Sequence, residues 1–138
     1  MRRLLLTTSL LLAACGGADD TTAPTVSVVE SEPVSLSERG RIVFKKCQTC
    51  HTLAEGAPHK VGPNLWNVFG QTAGAREDFN YSKAMLAADW VWDDATMDGY
   101  LERPSRYLPG GRMSFVGLKK PEDRAAVIAY MREETGAE

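Results

Sequence analysis

Apolar residues recur at helical spacing in several stretches of this chain, and no stretch alternates convincingly as a half-buried strand would. Ser37 to Lys46 holds Ile42, Val43 and Phe44 behind a serine able to cap a helix. Gly40 sits inside this first predicted helix, where glycine costs about 1 kcal/mol relative to alanine. Such a glycine often marks the close crossing of another element. Ser82 to Ala88 predicts a short helix capped by Ser82. Asp93 to Arg103 predicts a third, with acids in its first turn and Pro104 ending it. Pro121 to Glu134 predicts the last, with proline at its start, Val127, Ile128 and Met131 on one face, and Gly136 beyond its end. Thr52 to Gln71 lacks periodicity and carries Gly56, Pro58, Gly62, Pro63 and Gly70, so it reads as loop. Tyr107 to Met113 is a second loop. Trp90 and Trp92 stand in an otherwise polar stretch, and core packing is the expectation for Trp90. Nothing repeats, and an all-α domain follows.

Ahead of this pattern the character of the chain changes. In residues 1–15, Arg2 and Arg3 precede an apolar run from Leu4 to Leu12, then Ala13, Ala14 and Cys15. The run is about half the length that crosses a bilayer as a helix, so a processed export signal is expected. Its ending resembles a bacterial lipoprotein signal, which is cut before a cysteine that is then lipidated. The other reading is an ordinary secretory peptide, with Cys15 incidental and the protein soluble in the periplasm. Residues 16–35 are small, polar and acidic, a composition that cannot bury a core. As a random coil this tether would span roughly 25 Å. Residues 36–138 form the remaining domain. Removing Arg2, Arg3, Asp19, Asp20, Glu30 and Glu32 from the totals of 16 basic and 18 acidic residues leaves 14 of each. Docking would therefore depend on where charges sit, and no nucleic-acid partner is expected.

The chemistry concentrates in Cys47-Gln48-Thr49-Cys50-His51. C-x-x-C-H is the pattern of c-type haem attachment. Two residues between the thiols separate them by about one helical turn, so both can reach one edge of a planar macrocycle. The next residue then offers an imidazole to the iron. Zinc would need two more ligands, and only Cys15 and His59 remain. A redox dithiol would want a βαβ pattern, which is absent. With Cys15 assigned to lipid and two thiols to haem, no disulfide is left to staple the domain. A buried, covalent porphyrin would serve instead.

Iron needs a sixth ligand or an open site. A methionine thioether stabilises ferrous iron and raises the potential. Met85, Met97 and Met131 sit at apolar positions of predicted helices, where packing is their ordinary role. Met113 lies on a loop that can bend over a flat cofactor, and is the expected ligand. His59, eight residues from His51, is the rival; a structural hydrogen-bonding role suits it better.

From Gly40 onward the chain resembles a class I cytochrome c, close to the mitochondrial and c2 group. The matching stretches are Val43–Cys47, Cys50-His51-Thr52, Gly62-Pro63-Asn64-Leu65, Phe79–Ser82, Tyr100–Pro104, Tyr107–Gly110, Met113-Ser114-Phe115 and Ile128-Ala129-Tyr130. The resemblance implies three to five helices around one covalent haem c, with His51 proximal and Met113 distal. It implies that the Pro63 carbonyl accepts the second ring N–H of His51 and that Tyr100 hydrogen-bonds the Met113 sulfur. Tyr81, Ser82 and Trp92 would approach the propionates, Gly40 would cross Tyr130, His59 would bridge loops, and Phe115 would cover the haem edge. Three positions depart from the family. Gln71 stands where an arginine usually binds a propionate, Met85 replaces an asparagine, and Gly111 replaces a threonine.

Lys46, Lys60, Arg106, Arg112, Lys119 and Lys120 match the family's docking ring, with Asp89, Asp93, Asp94 and Asp98 in opposing segments. The implied function is one-electron transfer by a monomer on the periplasmic side of a bacterial membrane, anchored by lipid at Cys15. A quinol:cytochrome c reductase would be donor and a terminal oxidase acceptor, with no small-molecule substrate. The alternatives are a haem enzyme or sensor with a labile distal ligand, and a fixed subunit of one larger complex.

Overall fold

The computed structural model describes residues 34–136. The leader, Cys15 and most of the tether lie outside these residues. The described residues form five helices: α1 (Leu36–Phe44), α2 (Lys83–Leu86), α3 (Asp94–Glu102), α4 (Pro104–Tyr107) and α5 (Pro121–Thr135). Their only β feature is one isolated antiparallel bridge, Thr72 to Val91. The all-α expectation holds.

Helix α1 starts two residues earlier than its apolar pattern predicts. Ser35 Oγ, not Ser37, accepts the Glu38 N–H at 3.0 Å. Ser35-Leu36-Ser37-Glu38 has a glutamate three residues after the serine, the spacing of a capping box, whereas Ser37 has Gly40 there. Pro104 ends α3 as predicted, and it also opens α4, because its fixed φ and missing N–H suit a first helical position. That four-residue helix carries no periodic signal of its own. Gly136 closes α5 with φ 62° and ψ 22°, the left-handed cap that glycine adopts without strain.

The frame is the crossing of α1 and α5. A Cβ on Gly40 would lie 2.0 Å from the Ala126 carbonyl oxygen and 2.6 Å from Tyr130 Cβ, so the backbones touch there. Phe44 packs against Tyr130 with ring centroids 5.5 Å apart. Arg39 Nη2 sits 2.6 Å from Asp123 Oδ1 across the same crossing. Helix α3 joins this pair through two arginines of α5. Arg124 Nε donates to Asp98 Oδ1 at 2.7 Å, and Arg132 Nε donates to Asp94 Oδ1 at 2.7 Å. Arg124 is buried, and its Nη1 also donates to the Leu118 carbonyl at 2.9 Å. One guanidinium thus ties α5 to α3 and to the loop before α5. Val127 is fully buried at the centre, with Val43, Phe44, Met97, Leu101, Ile128 and Met131 around it.

Gly40→Ala sets two effects against each other. Alanine gains about 1 kcal/mol of helix propensity, but the new methyl overlaps backbone that cannot move aside, and overpacking costs typically about 1–3 kcal/mol. The clash should win, lowering stability in guanidinium unfolding. A stabilised variant would mean that the two helices do not touch at residue 40.

Candidate functional site

A cavity of about 840 Å³ opens among α2, α3, α5 and the irregular stretches 45–82, 87–93 and 108–120. Its size falls in the range of sites that enclose a cofactor or drug-sized ligand.

One wall is the motif itself. After Phe44 the chain continues as turns, and the N–H groups of Cys50 and His51 both donate to the Cys47 carbonyl at 2.9 Å. This curls the five residues so that Cys47, Cys50 and His51 all line the cavity. The two thiols are free of any disulfide. Burial pushes the Cys47 thiol up to about 11, against a downward pull from Lys46. His51 is buried, and its Nδ1 lies 2.7 Å from the Pro63 carbonyl. An Nδ1–H donated there leaves the lone pair on Nε2, the arrangement that orients metal-binding histidines. Burial also lowers the His51 pKa, partly countered by the Pro63 bond, which favours the neutral ring. Gly62 lets the loop pass this closely, since a Cβ on it would lie 2.3 Å from His51 Cε1.

The loop that carries Pro63 is held by Asn64, which is buried among polar groups that it satisfies. Its Nδ2 donates to the carbonyls of Ala54 and Ala57, both at 2.9 Å, and its Oδ1 accepts the Trp66 N–H at 2.8 Å. Its own N–H donates to His59 Nδ1 at 2.8 Å. His59 Nε2 lies 3.0 Å from Asp78 Oδ1, and its ring meets Phe79 edge-on at 5.2 Å. His59 therefore links this loop to the next one.

The other wall brings Met113, on a stretch without regular structure, together with Phe115, Tyr100, Met97 and Leu101. Met85 and Met131 also line the cavity, so all four methionines of the domain border it. The Tyr100 ring packs edge-on against Trp92 at 5.1 Å and Tyr107 at 5.9 Å, and burial pushes its hydroxyl up to about 12. Among the described residues no hydrogen bond joins that hydroxyl to the Met113 sulfur. Trp92 is buried and pinned by its backbone, with its N–H on the Gln71 carbonyl at 2.9 Å. Trp90 packs edge-on against Trp92 at 5.8 Å and Tyr107 at 5.3 Å, half-buried beside the core. Ser82 caps α2 through Met85 N–H at 3.1 Å, and it lines the cavity beside Tyr81. Gln71 borders the cavity as well; Gly111 does not.

The six candidate docking cations are all exposed. Lys46 and Arg112 border the cavity, and Lys60 Nζ donates to the Gln48 carbonyl of the motif at 2.5 Å. Lys119 Nζ donates to the Glu102 carbonyl at 3.4 Å, Lys120 is the N-cap residue of α5, and Arg106 lies on α4. Three of the four opposing acids have structural partners. Asp93 caps α3 on the Thr96 N–H, and Asp94 and Asp98 pair with arginines of α5.

The residues present fit a haem bound through both cysteines. Two thiols and an imidazole share one wall, and the remaining walls are largely apolar. Among the described residues no group of three or more His, Cys, Asp or Glu could by itself hold a metal ion. Residues 37–134 match the family model for cytochrome c. The chain belongs to the cytochrome c family. It is 49% identical over 98 residues to a cytochrome c2 from Rhodomicrobium vannielii, covering 71% of this chain and 78% of that one. It is 45% identical over 95 residues to a cytochrome c from Kluyveromyces lactis, covering 68% and 86%. It is 43% identical over 111 residues to a cytochrome c from Chlamydomonas reinhardtii, covering 80% and 99%. The family holds one haem c through Cys47 and Cys50, and the chain is a haem-based electron carrier, not an enzyme.

Asn64 was visible in the sequence only as part of a matching stretch, because hydrogen bonds to nearby carbonyls leave no periodic trace. Asn64→Ala would remove the partner of three part-buried backbone groups. An unsatisfied buried group costs about 1–3 kcal/mol, so the holoprotein should lose about 1 kcal/mol or more in denaturant unfolding. A loss within 0.5 kcal/mol, the usual range of a surface substitution, would show that the loop is held elsewhere.

Proposed function

We propose that this cytochrome carries single electrons outside the cytoplasmic membrane, with His51 and Met113 as axial ligands. The observation that carries the reading is the position of Met113. It borders the same cavity as His51 from an irregular stretch whose backbone can set the thioether against an iron. A haem held there supplies one iron that gains and loses a single electron.

The chain's own residues set the conditions for that exchange. Pro63 fixes the imidazole and Asn64 fixes the loop behind it. Met97, Leu101, Val127 and Met131 are buried walls that keep water from the macrocycle, and low polarity together with a thioether ligand favours the ferrous state. Phe115 is half-buried at the border, where it would shield the haem edge. Tyr81, Ser82, Trp92 and Tyr100 complete the cofactor-binding set.

The partners we assign are a quinol:cytochrome c reductase as donor and a terminal oxidase as acceptor. Lys46, Lys60, Arg106, Arg112, Lys119 and Lys120 would steer the domain to acidic faces, acting mainly on encounter rate. We place the protein on the periplasmic side of a bacterial membrane, tethered by lipid on Cys15. No described helix is long and apolar enough to cross a membrane.

Met113→Ala should lower the potential by more than about 59 mV, a tenfold change for a one-electron couple, and let carbon monoxide bind the ferrous form. An unchanged potential and no carbon monoxide binding would assign the ligand elsewhere. Cys15→Ala should shift the protein from the membrane fraction to the soluble periplasm, or leave its leader uncleaved, while the haem spectrum stays the same. A wild-type protein that is soluble and carries no lipid mass would overturn the tether.

A further inference from the structure

The cavity has a charge asymmetry that the apolar walls do not explain. Three cations border it, Lys46, Arg76 and Arg112, and among the described residues no aspartate or glutamate does. A site that carries cations and excludes carboxylates is built for a ligand with negative charge. Lys46 precedes Cys47, so it stands at the attachment wall. On a porphyrin joined through its vinyl edge, the two carboxylates lie at the opposite edge. The cations that border the cavity elsewhere, and so are left to neutralise them, are Arg76 and Arg112.

Arg76 has the placement for this role. It lies on the loop between Phe69 and Tyr81, half-buried, and it borders the cavity with Gln71, Tyr81 and Ser82. Gln71 is exposed and has no charge to offer. The Arg76 guanidinium is oriented by one backbone bond, its Nη2 donating to the Trp66 carbonyl. It makes no ion pair among the described residues. Asp78, two residues away, feels its charge but is exposed and lies 3.0 Å from His59 Nε2. Arg112 differs in kind, being exposed and held to the Asn80 carbonyl just before the Met113 position.

We propose that Arg76 is the residue that neutralises a propionate of the haem and sets the potential of this cytochrome, in place of a charge at position 71. The inference rests on the reading that the haem fills this cavity with its attachment edge at Cys47 and Cys50. A fixed positive charge beside the macrocycle offsets the charge of the carboxylate. It therefore disfavours the ferric state, which carries one more positive charge than the ferrous. Removing it should favour oxidation.

The test is the potential of the full-length holoprotein and its Arg76→Gln and Arg76→Lys variants, with thermal unfolding alongside. Arg76→Gln should shift the oxidised-to-reduced ratio at fixed applied potential by about threefold or more towards oxidised, which is about 28 mV for a one-electron couple. Arg76→Lys keeps the charge without the planar fork, and should restore most of the potential even if the Trp66 bond and some stability are lost. The visible spectrum should be unchanged in both. An unshifted potential in Arg76→Gln, or a potential lowered equally in both variants, would make Arg76 a loop clamp on Trp66 only. If Arg76→Gln does not fold, Arg76→Met is measured in its place: a fall of more than about 10 mV, about 1.5-fold in that ratio, with Arg76→Lys closer to wild type, supports the charge, and a smaller fall overturns it. A wild-type protein without thioether-bound haem would instead refute the placement of the cofactor.

Discussion

The thioether attachment at Cys47 and Cys50 is the constraint on which the rest of this domain depends. It fixes one edge of a large flat cofactor to one turn of chain, and every other element is arranged to cover what remains. The walls of the cavity and the core of the fold are largely the same residues, since Met97, Tyr100, Leu101, Val127 and Met131 belong to both. Such a core cannot close on itself. The cofactor is thus structural as well as chemical, in a domain whose two cysteines form no disulfide.

Polar detail then does what apolar packing cannot. The backbone contact at Gly40 sets the distance between α1 and α5, and Arg124 locks α3 and the loop before α5 onto that pair. Gly117 continues the same logic: with φ 93° and a hypothetical Cβ only 2.0 Å from the Glu102 carbonyl, it lets the Met113 stretch return past the end of α3. On the opposite wall Asn64 and His59 hold a loop with no helix or sheet to support it. The wall that carries His51 and the wall that carries Met113 are therefore held by different means, one by side-chain hydrogen bonds and the other by packed backbone.

Much of this was legible in the sequence because the strongest signals were local. C-x-x-C-H declared the attachment, helix periodicity located α1, α3 and α5, and Ser82 marked the start of α2. The apolar pattern points two residues too late for the serine that caps α1, and Glu38 carries the discriminating spacing. Helix α4 leaves no trace in the pattern because four residues make too short a run for periodicity, and because Pro104 signals the stop of one helix as strongly as the start of the next. The methionines show a deeper limit. Helical apolar positions predicted packing for Met85, Met97 and Met131, and that reading is compatible with all three bordering the cavity, since core and cofactor share a wall. Arg76 carried no signal at all; a lone arginine in a polar loop looks like a solvated charge until the cavity beside it is known.

Because four methionines border one cavity, the central claim is tested most directly by asking which of them meets the iron. The reduced protein would be prepared with ¹³C-methyl methionine, and its methyl resonances assigned by single Met→Leu substitutions at 85, 97 and 131. The account predicts one methyl strongly displaced by the porphyrin ring current and unmoved by any of those three substitutions, leaving Met113 as its source. Loss of the displaced signal in one of those variants, or four methyls all near their ordinary positions, would contradict it.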